Sequence, residues 1–159
     1  MRKNSLLLVM MLAFVSIFTV SVAEDQVVTE KDCISIVEKA GSLLVKNGDE
    51  ALSEINDPKG KFINGELYAF VYDDQVNMIA NPFSNKLVGQ NFKGKPDVKG
   101  KKFRDEINEV AITKGNGWVK YAYKKPNEDG VFGKKTYTKL FVNVATKKKY
   151  VVCSGMYDN

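Results

Sequence analysis

One stretch of helical spacing followed by five aromatic and β-branched runs leaves this chain few folds to adopt. Thr29-Glu30-Lys31-Asp32 reads as a capped helix start, after which Cys33, Val37, Ala40 and Leu44 recur at helical spacing up to Lys46, and Asn47-Gly48 supplies a stop. A second short helical stretch over 49–55 ends in the turn cluster Asn56-Asp57-Pro58-Lys59-Gly60. At Leu67 the period changes. Runs over 67–72 and 76–80, separated by Asp73-Asp74-Gln75, read as a hairpin, and runs over 117–123, 136–142 and 149–154 read as three more strands. Residues 124–135 read as a polar turn, 101–113 as a helix, and 81–100, broken by Pro82, Gly89, Gly94, Pro96 and Gly100, as an irregular excursion. The predicted class is α+β: a long N-terminal helix packed on a five-stranded antiparallel sheet, with a loop-helix segment over the opposite face. Two unequal faces of this kind leave room for a pocket.

The 159 residues are 44% hydrophobic and 27% charged, the balance of one globular core. A domain of this size buries roughly 70% of the surface its unfolded chain exposes, so it needs no metal or dense disulfide framework to fold. Ahead of it stands a leader. Met1 to Asn4 carry Arg2 and Lys3, residues 6–20 are mostly apolar, and Ser21-Val22-Ala23 puts small residues at −3 and −1, which predicts a secretory signal peptide over 1–23 with cleavage after Ala23. Fifteen apolar residues rise only about 22 Å as a helix, short of the roughly 30 Å hydrocarbon core, which disfavours an uncleaved anchor. The expectation is a single soluble domain over 24–159, periplasmic or secreted, with no embedded segment. Without the leader, 22 Lys and Arg face 19 Asp and Glu.

Export would place Cys33 and Cys153 in an oxidising compartment, where two thiols in a small domain usually pair. A Cys33–Cys153 disulfide is therefore expected, with two separate buried thiols as the alternative. The chain contains no histidine, which removes Ser-His-Asp and Cys-His nucleophile arrangements, imidazole metal sites and imidazole acid-base chemistry. Gly89-Gln90-Asn91-Phe92-Lys93-Gly94-Lys95 has the spacing of a phosphate loop, but Pro96 stands where the magnesium-binding hydroxyl would be and no strand-to-helix context surrounds it. Asp97, Asp105, Glu106 and Glu109 lack the alternation of a calcium loop and read as a solvated face. Lysines cluster at turns rather than along one surface, so solubility rather than nucleic-acid binding accounts for them. Neither a cofactor nor a metal is expected.

Aromatic residues with polar tips concentrate in the strands: Tyr68, Tyr72, Trp118, Tyr121, Tyr123, Tyr137, Tyr150 and Tyr157. Strand aromatics usually pack as core, yet an apolar body with a hydrogen-bonding tip also suits a pocket wall. Taken in order, Tyr68-Ala69-Phe70-Val71-Tyr72-Asp73, Ala80-Asn81-Pro82, Leu87-Val88-Gly89-Gln90-Asn91-Phe92, Asp97-Val98-Lys99-Gly100-Lys101, Gly117-Trp118-Val119-Lys120-Tyr121, Lys135-Thr136-Tyr137 and Gly155-Met156-Tyr157 resemble a Cache domain of the single, PAS-like type. That resemblance covers about Asp32 to Tyr157. It implies an extracytoplasmic sensor domain with a small-molecule site between the sheet and its overlying loop, often for short carboxylates or similar polar metabolites. Two features depart from the family. Asn81 stands where an Ala-His-Pro step is common, and the sequence stops two residues after Tyr157, so the expectation is that any signal passes to another protein.

The expected ligand-binding residues are Tyr72, Asn81, Phe103, Trp118, Tyr121, Lys135 and Tyr137. Lys135 and Asn81 would supply polar recognition, Trp118 and Phe103 apolar walls, and the tyrosines both. The leading reading is an exported module that binds a small polar or anionic metabolite without chemistry. The alternative is an interaction module whose long helix docks on a membrane-bound receptor or histidine kinase, its pocket filled by its own side chains. An enzyme would have to rely on lysine, tyrosine or carboxylate alone, which ranks that reading last.

Overall fold

A computed structural model describes residues 27–125 and 128–158; the leader and its cleavage site after Ala23 lie outside them. Helix α1, Glu30–Asn47, begins as its cap predicts. The Thr29 side chain accepts from the Asp32 amide while Asp32 accepts from the Thr29 amide, a reciprocal pair that satisfies two free donors of the first turn. A 3-10 turn at Gly48–Glu50 leads into α2, Ala51–Ile55, and Gly48 adopts the positive φ (61°) that lets the chain turn there. The C-terminal end of α1 is held by the buried Asn143, whose Nδ2 donates to the carbonyls of Leu44 and Val45 at 3.0 Å each.

The sheet region opens with a two-residue ribbon, β1 (Ile63–Asn64) paired with β2 (Leu67–Tyr68), turned at Gly65. The sequence reading ran 67–72 as one strand; the structure divides it at Ala69, so that β2 pairs backwards with β1 while β3 (Phe70–Tyr72) enters the main sheet. After β4 (Met78–Ala80), residues 88–92 run along that strand's outer side, with Gly89 donating to the Met78 carbonyl and Met78 to that of Gln90. This covers a sheet edge that would otherwise be open. Helix α3, Phe103–Lys114, follows, then β5 (Asn116–Tyr123), β6 (Phe132–Val142) and β7 (Lys149–Tyr157). All neighbours are antiparallel and the order is β4-β3-β7-β6-β5, which puts the last strand at the centre. The α+β class and the five-stranded antiparallel sheet are as expected.

Two cores result, one on each face. Cys33, Ile36, Val37, Ala40 and Leu44 of α1 meet Val71, Tyr137, Tyr150 and Val152. On the other face Phe103, Ile107 and Ala111 of α3 meet Phe70, Tyr72, Val119, Tyr121, Val151 and Cys153. The expected Cys33–Cys153 disulfide does not form. Both thiols are free and buried, and alternation along β7 turns Cys153 to the α3 face while Ser154, the next residue, turns toward Cys33. The sheet itself stands between the two sulfurs.

Strand β6 also begins four residues earlier than read, at Phe132. The polar stretch ending at Lys135 looked like a turn, but Gly133, Lys134 and Lys135 pair with Ala122, Tyr121 and Lys120 and extend the sheet. Strand β7 runs on to Tyr157, opposite Lys134. Gly155 lies at this crossing because nothing larger fits: a Cβ there would come 2.8 Å from the Lys135 carbonyl oxygen and 2.9 Å from Lys134 Cε. Gly155→Ala is expected to destabilise the domain by about 1–3 kcal/mol, the scale of overpacking in a close-packed core, read as a lower urea midpoint at unchanged slope. An unchanged midpoint would show that the central strands have room to spare.

Candidate functional site

On the α3 face the sheet and the overlying segment enclose two connected spaces. The inner one, about 10 Å³, is lined by Tyr68, Phe70, Tyr72, Met78, Asn81, Phe103, Tyr121, Tyr123 and Lys134. It has the volume of a single water molecule. Tyr68, Asn81, Phe103 and Tyr123 also line an outer cleft of about 410 Å³, whose rim carries the exposed Phe83, Val98 and Val131. That is the size range of small-molecule sites. The segment over the cleft is pinned by Asp97, whose carboxylate accepts from the amides of Lys99 (2.8 Å), Lys101 (2.9 Å) and Ala122 of β5 (3.0 Å). These bonds hold the Asp97 carboxyl below its ordinary pKa.

The inner cavity is built around one cation. Lys134 is 1% exposed, and its Nζ donates to the Tyr68 hydroxyl at 2.9 Å and to the Tyr157 hydroxyl at 3.3 Å. Tyr157 in turn donates to the Lys124 carbonyl, which fixes it as an acceptor for the lysine. Four rings surround the ammonium: its nitrogen is 4.6 Å from the ring centres of Tyr68 and Tyr157, 5.5 Å from that of Tyr123 and 5.7 Å from that of Phe70. Aromatic faces and phenol oxygens stabilise a cation, but they carry no countercharge. Among the described residues no carboxylate lies within ion-pair distance of it. Burial pulls the amine down to about 8, still mostly ammonium at neutral pH.

The remaining walls are closely packed. Phe103 and Tyr121 stack with centres 3.9 Å apart and planes at 10°, and the Tyr121 hydroxyl bonds Thr136 at 2.8 Å. Burial pushes the phenols of Tyr68, Tyr72 and Tyr121 upward, so they stay neutral donors. Asn81 spends its amide oxygen on the Ser84 amide and points Nδ2 at the Met78 sulfur, 3.9 Å away. A thioether is a weak acceptor, so that amide retains donor capacity toward the cavity.

The chain matches the family model described as single Cache domain 2 over residues 21–158. It belongs to that family. The solved structures agree in fold: 81% of this chain superposes on 92% of a protein described as showing the structural basis for carboxylic acid recognition by a Cache chemosensory domain, at 24% identity and a TM-score of 0.67. The periplasmic sensor domain of a chemotaxis protein matches over 81% of this chain and 90% of that one, at 24% identity and a TM-score of 0.62. A methyl-accepting chemotaxis protein from Vibrio parahaemolyticus matches over 80% and 86%, at 16% identity and the same score.

In this Cache domain, Tyr72, Asn81, Phe103 and Tyr121 converge on the inner cavity. Trp118, Lys135 and Tyr137 do not. They form their own cluster on the α1 face, where Lys135 pairs with Glu30 and lies over the Trp118 ring, and Trp118 packs on Tyr137. The period of β5 and β6 was read correctly but its phase was not: the even residues of β6 face the cavity and the odd ones face α1. Lys134 and Arg104 also line the two spaces and are absent from the predicted set. The first hid in an apparent polar turn, and its signal was a lysine two residues before Thr136 in alternating register. The second sits beside the predicted Phe103, in the first turn of α3.

An amine that titrates at about 8 when folded and near 10.5 when unfolded binds its proton more tightly in the unfolded chain. Lys134 therefore costs stability at pH values below about 8, and that cost is relieved as the pH rises toward 10. Lys134→Met is expected to raise stability at pH 7 by about 2 kcal/mol and to remove this alkaline gain. Thermal unfolding of both proteins between pH 7 and 10 checks it; a less stable variant would show that the aromatic box outweighs desolvation.

Proposed function

We propose that this Cache domain is an exported sensor module that binds a small carboxylate, without catalysis, and that Lys134 holds the acid group. One observation carries the reading. A buried ammonium whose partners are phenols and ring faces has two of its three N–H donors occupied and its charge uncompensated. A carboxylate entering from the cleft, with the walls of the inner cavity parting to admit it, would supply the missing countercharge and accept the remaining donor, and Asn81 and Tyr72 line the same cavity. Asn81 in place of a histidine keeps this recognition independent of a second titration near neutral pH. The structural neighbour described for carboxylic acid recognition points the same way.

Absence of catalysis is consistent with the lack of histidine and with two thiols that burial pushes up to about 11 and about 12, far from the thiolate form. The proposal includes export by the leader, cleavage after Ala23, residence in the periplasm or outside the cell, and transmission through α1 to a membrane-bound receptor or histidine kinase. Among the described residues no helix is long and apolar enough to cross a membrane.

Thermal unfolding of the purified protein against formate, acetate, propionate and lactate, each beside its neutral amide, tests the binding claim. A ligand at a hundred times its dissociation constant adds about 2.7 kcal/mol, expected here as a rise of about 10 °C. The acids should shift the midpoint, the amides should not, and Lys134→Met should respond to neither. Equal shifts from acid and amide, or an acid response that survives in the variant, would refute the assignment.

A further inference from the structure

We propose that the outer side of α1 is a docking groove for an acidic amphipathic helix of a partner protein, held through Lys39 and Lys46. This rests on the transmission through α1 proposed above, to which it gives a surface and a partner chemistry, and it does not depend on what the cavity binds.

Helix α1 sorts its charges by face. Its glutamates turn toward the sheet, where Glu30 pairs with Lys135 and Glu38 with Lys139, both on β6, while Asp32 closes the cap with Thr29. Between the two end residues of the helix every exposed position is lysine or serine: Lys31, Ser35, Lys39, Ser42 and Lys46. Spacings of three and four residues place them on one stripe. None of these three lysines makes an ion pair among the described residues. Lys46, in the last turn, suits the negative end of the helix dipole, but Lys39 stands mid-helix, where the dipole gives it no such support.

A solvated lysine stripe is ordinary on a helix; this one differs in bordering a concavity. An open groove of about 630 Å³ runs between α1 and the segment before β1, with Lys39, Ser42, Leu43 and Lys46 on one side and Lys61 and Phe62 on the other. The half-buried Leu43 and the buried Phe62 make its floor apolar. Lys61 lies over the Phe62 ring, 5.5 Å from its centre, and pairs with Glu54, and Glu38 at the groove's edge is already matched to Lys139. What the groove offers is therefore an apolar floor with the ammoniums of Lys39 and Lys46 spaced along one wall.

Those two lysines are seven residues apart in the sequence, about 10.5 Å along the helix axis. A second helix lying in the groove has the same repeat. Acidic residues seven apart on it would meet both ammoniums, and apolar residues three and four positions after the first would cover Leu43 and Phe62. The small Ser42 between the lysines lets such a helix come close. Two other occupants suit the groove less. A second copy of this chain would bring the same lysines face to face, and a flat anionic bilayer would reach the lysines but leave the concave floor uncovered.

Fluorescence anisotropy of the purified protein with a labelled alanine- and glutamine-based helical peptide of about 16 residues, carrying two glutamates seven apart with leucines three and four positions after the first, tests the assignment beside the same peptide with lysine for glutamate. The glutamate peptide is expected to bind at least tenfold more tightly at low salt, with the difference shrinking as salt is added, and the Lys39→Glu, Lys46→Glu double variant is expected to reverse the preference. No binding of the glutamate peptide, equal binding of the two peptides, or a preference that persists in the double variant would overturn the groove. So would binding to phosphatidylglycerol vesicles, or self-association in sedimentation equilibrium, that the double variant loses while the peptide fails to bind. The comparison of the two peptides uses the unaltered protein, so it stands even if the variant fails to fold. A failed peptide test beside an intact thermal response to acetate would overturn the docking groove alone; failure of both would overturn the sensor reading as well.

Discussion

Alternation along the two central strands is the constraint on which this molecule rests. Strands β6 and β7 are buried on both faces, and each successive residue is sent either toward α1 or toward α3. Tyr150, Val152 and Ser154 face the helix; Val151, Cys153 and Tyr157 face the cavity. Tyr137 and Phe141 go one way, Lys134, Thr136 and Thr138 the other. A single sheet thereby separates the face packed on α1 from the face that lines the cavity, and which face a residue serves follows from its parity. The same rule keeps Cys33 and Cys153 apart although both are buried close to the middle of the fold, so the domain relies on its two cores rather than on a cross-link.

The cavity side carries a deliberate imbalance. A fully buried ammonium among Tyr68, Tyr157, Tyr123 and Phe70 has favourable ring and hydroxyl contacts but no ion-pair partner among the described residues, and a second cation, Arg104, is stacked at the mouth with its buried Nε unsatisfied there. Uncompensated buried charge is destabilising, and ionisable groups perturbed in this way cluster at functional sites. The opposite face shows how this chain treats a charge with a structural task. Lys135 and Lys139 on β6 are each matched to a glutamate on α1, Glu30 and Glu38, at the solvent-accessible edge. Neighbouring lysines on one strand thus lie in different surroundings.

The architecture was legible because periodicity is a property of windows. The capped start of α1, its apolar stripe, the Asp73 hairpin and the three late strands all announce themselves over several residues. Phase is not announced. Lys134 and Lys135 adjoin in the same polar run, so only the register of the strand separates them, and choosing Lys135 carried Tyr137 and Trp118 with it to the α1 face. Four wall residues were nevertheless identified from the sequence, because Tyr72, Asn81, Phe103 and Tyr121 sit where regular elements meet the irregular segment. The ribbon of β1 and β2 was hidden by its two-residue strands, and Arg104 by a helix whose apolar positions drew attention to one side only.

Lys134 is a buried cation without an ion-pair partner among the described residues. Nitrogen NMR of the lysine side chains, titrated from pH 6 to 11 with and without acetate, tests it directly. One amine should titrate near 8 in the free protein, vanish as a low value in Lys134→Met, and move well upward when acetate is bound, since a paired ammonium holds its proton more tightly. All lysines titrating together near 10.5, with none responding to acetate, would contradict the account.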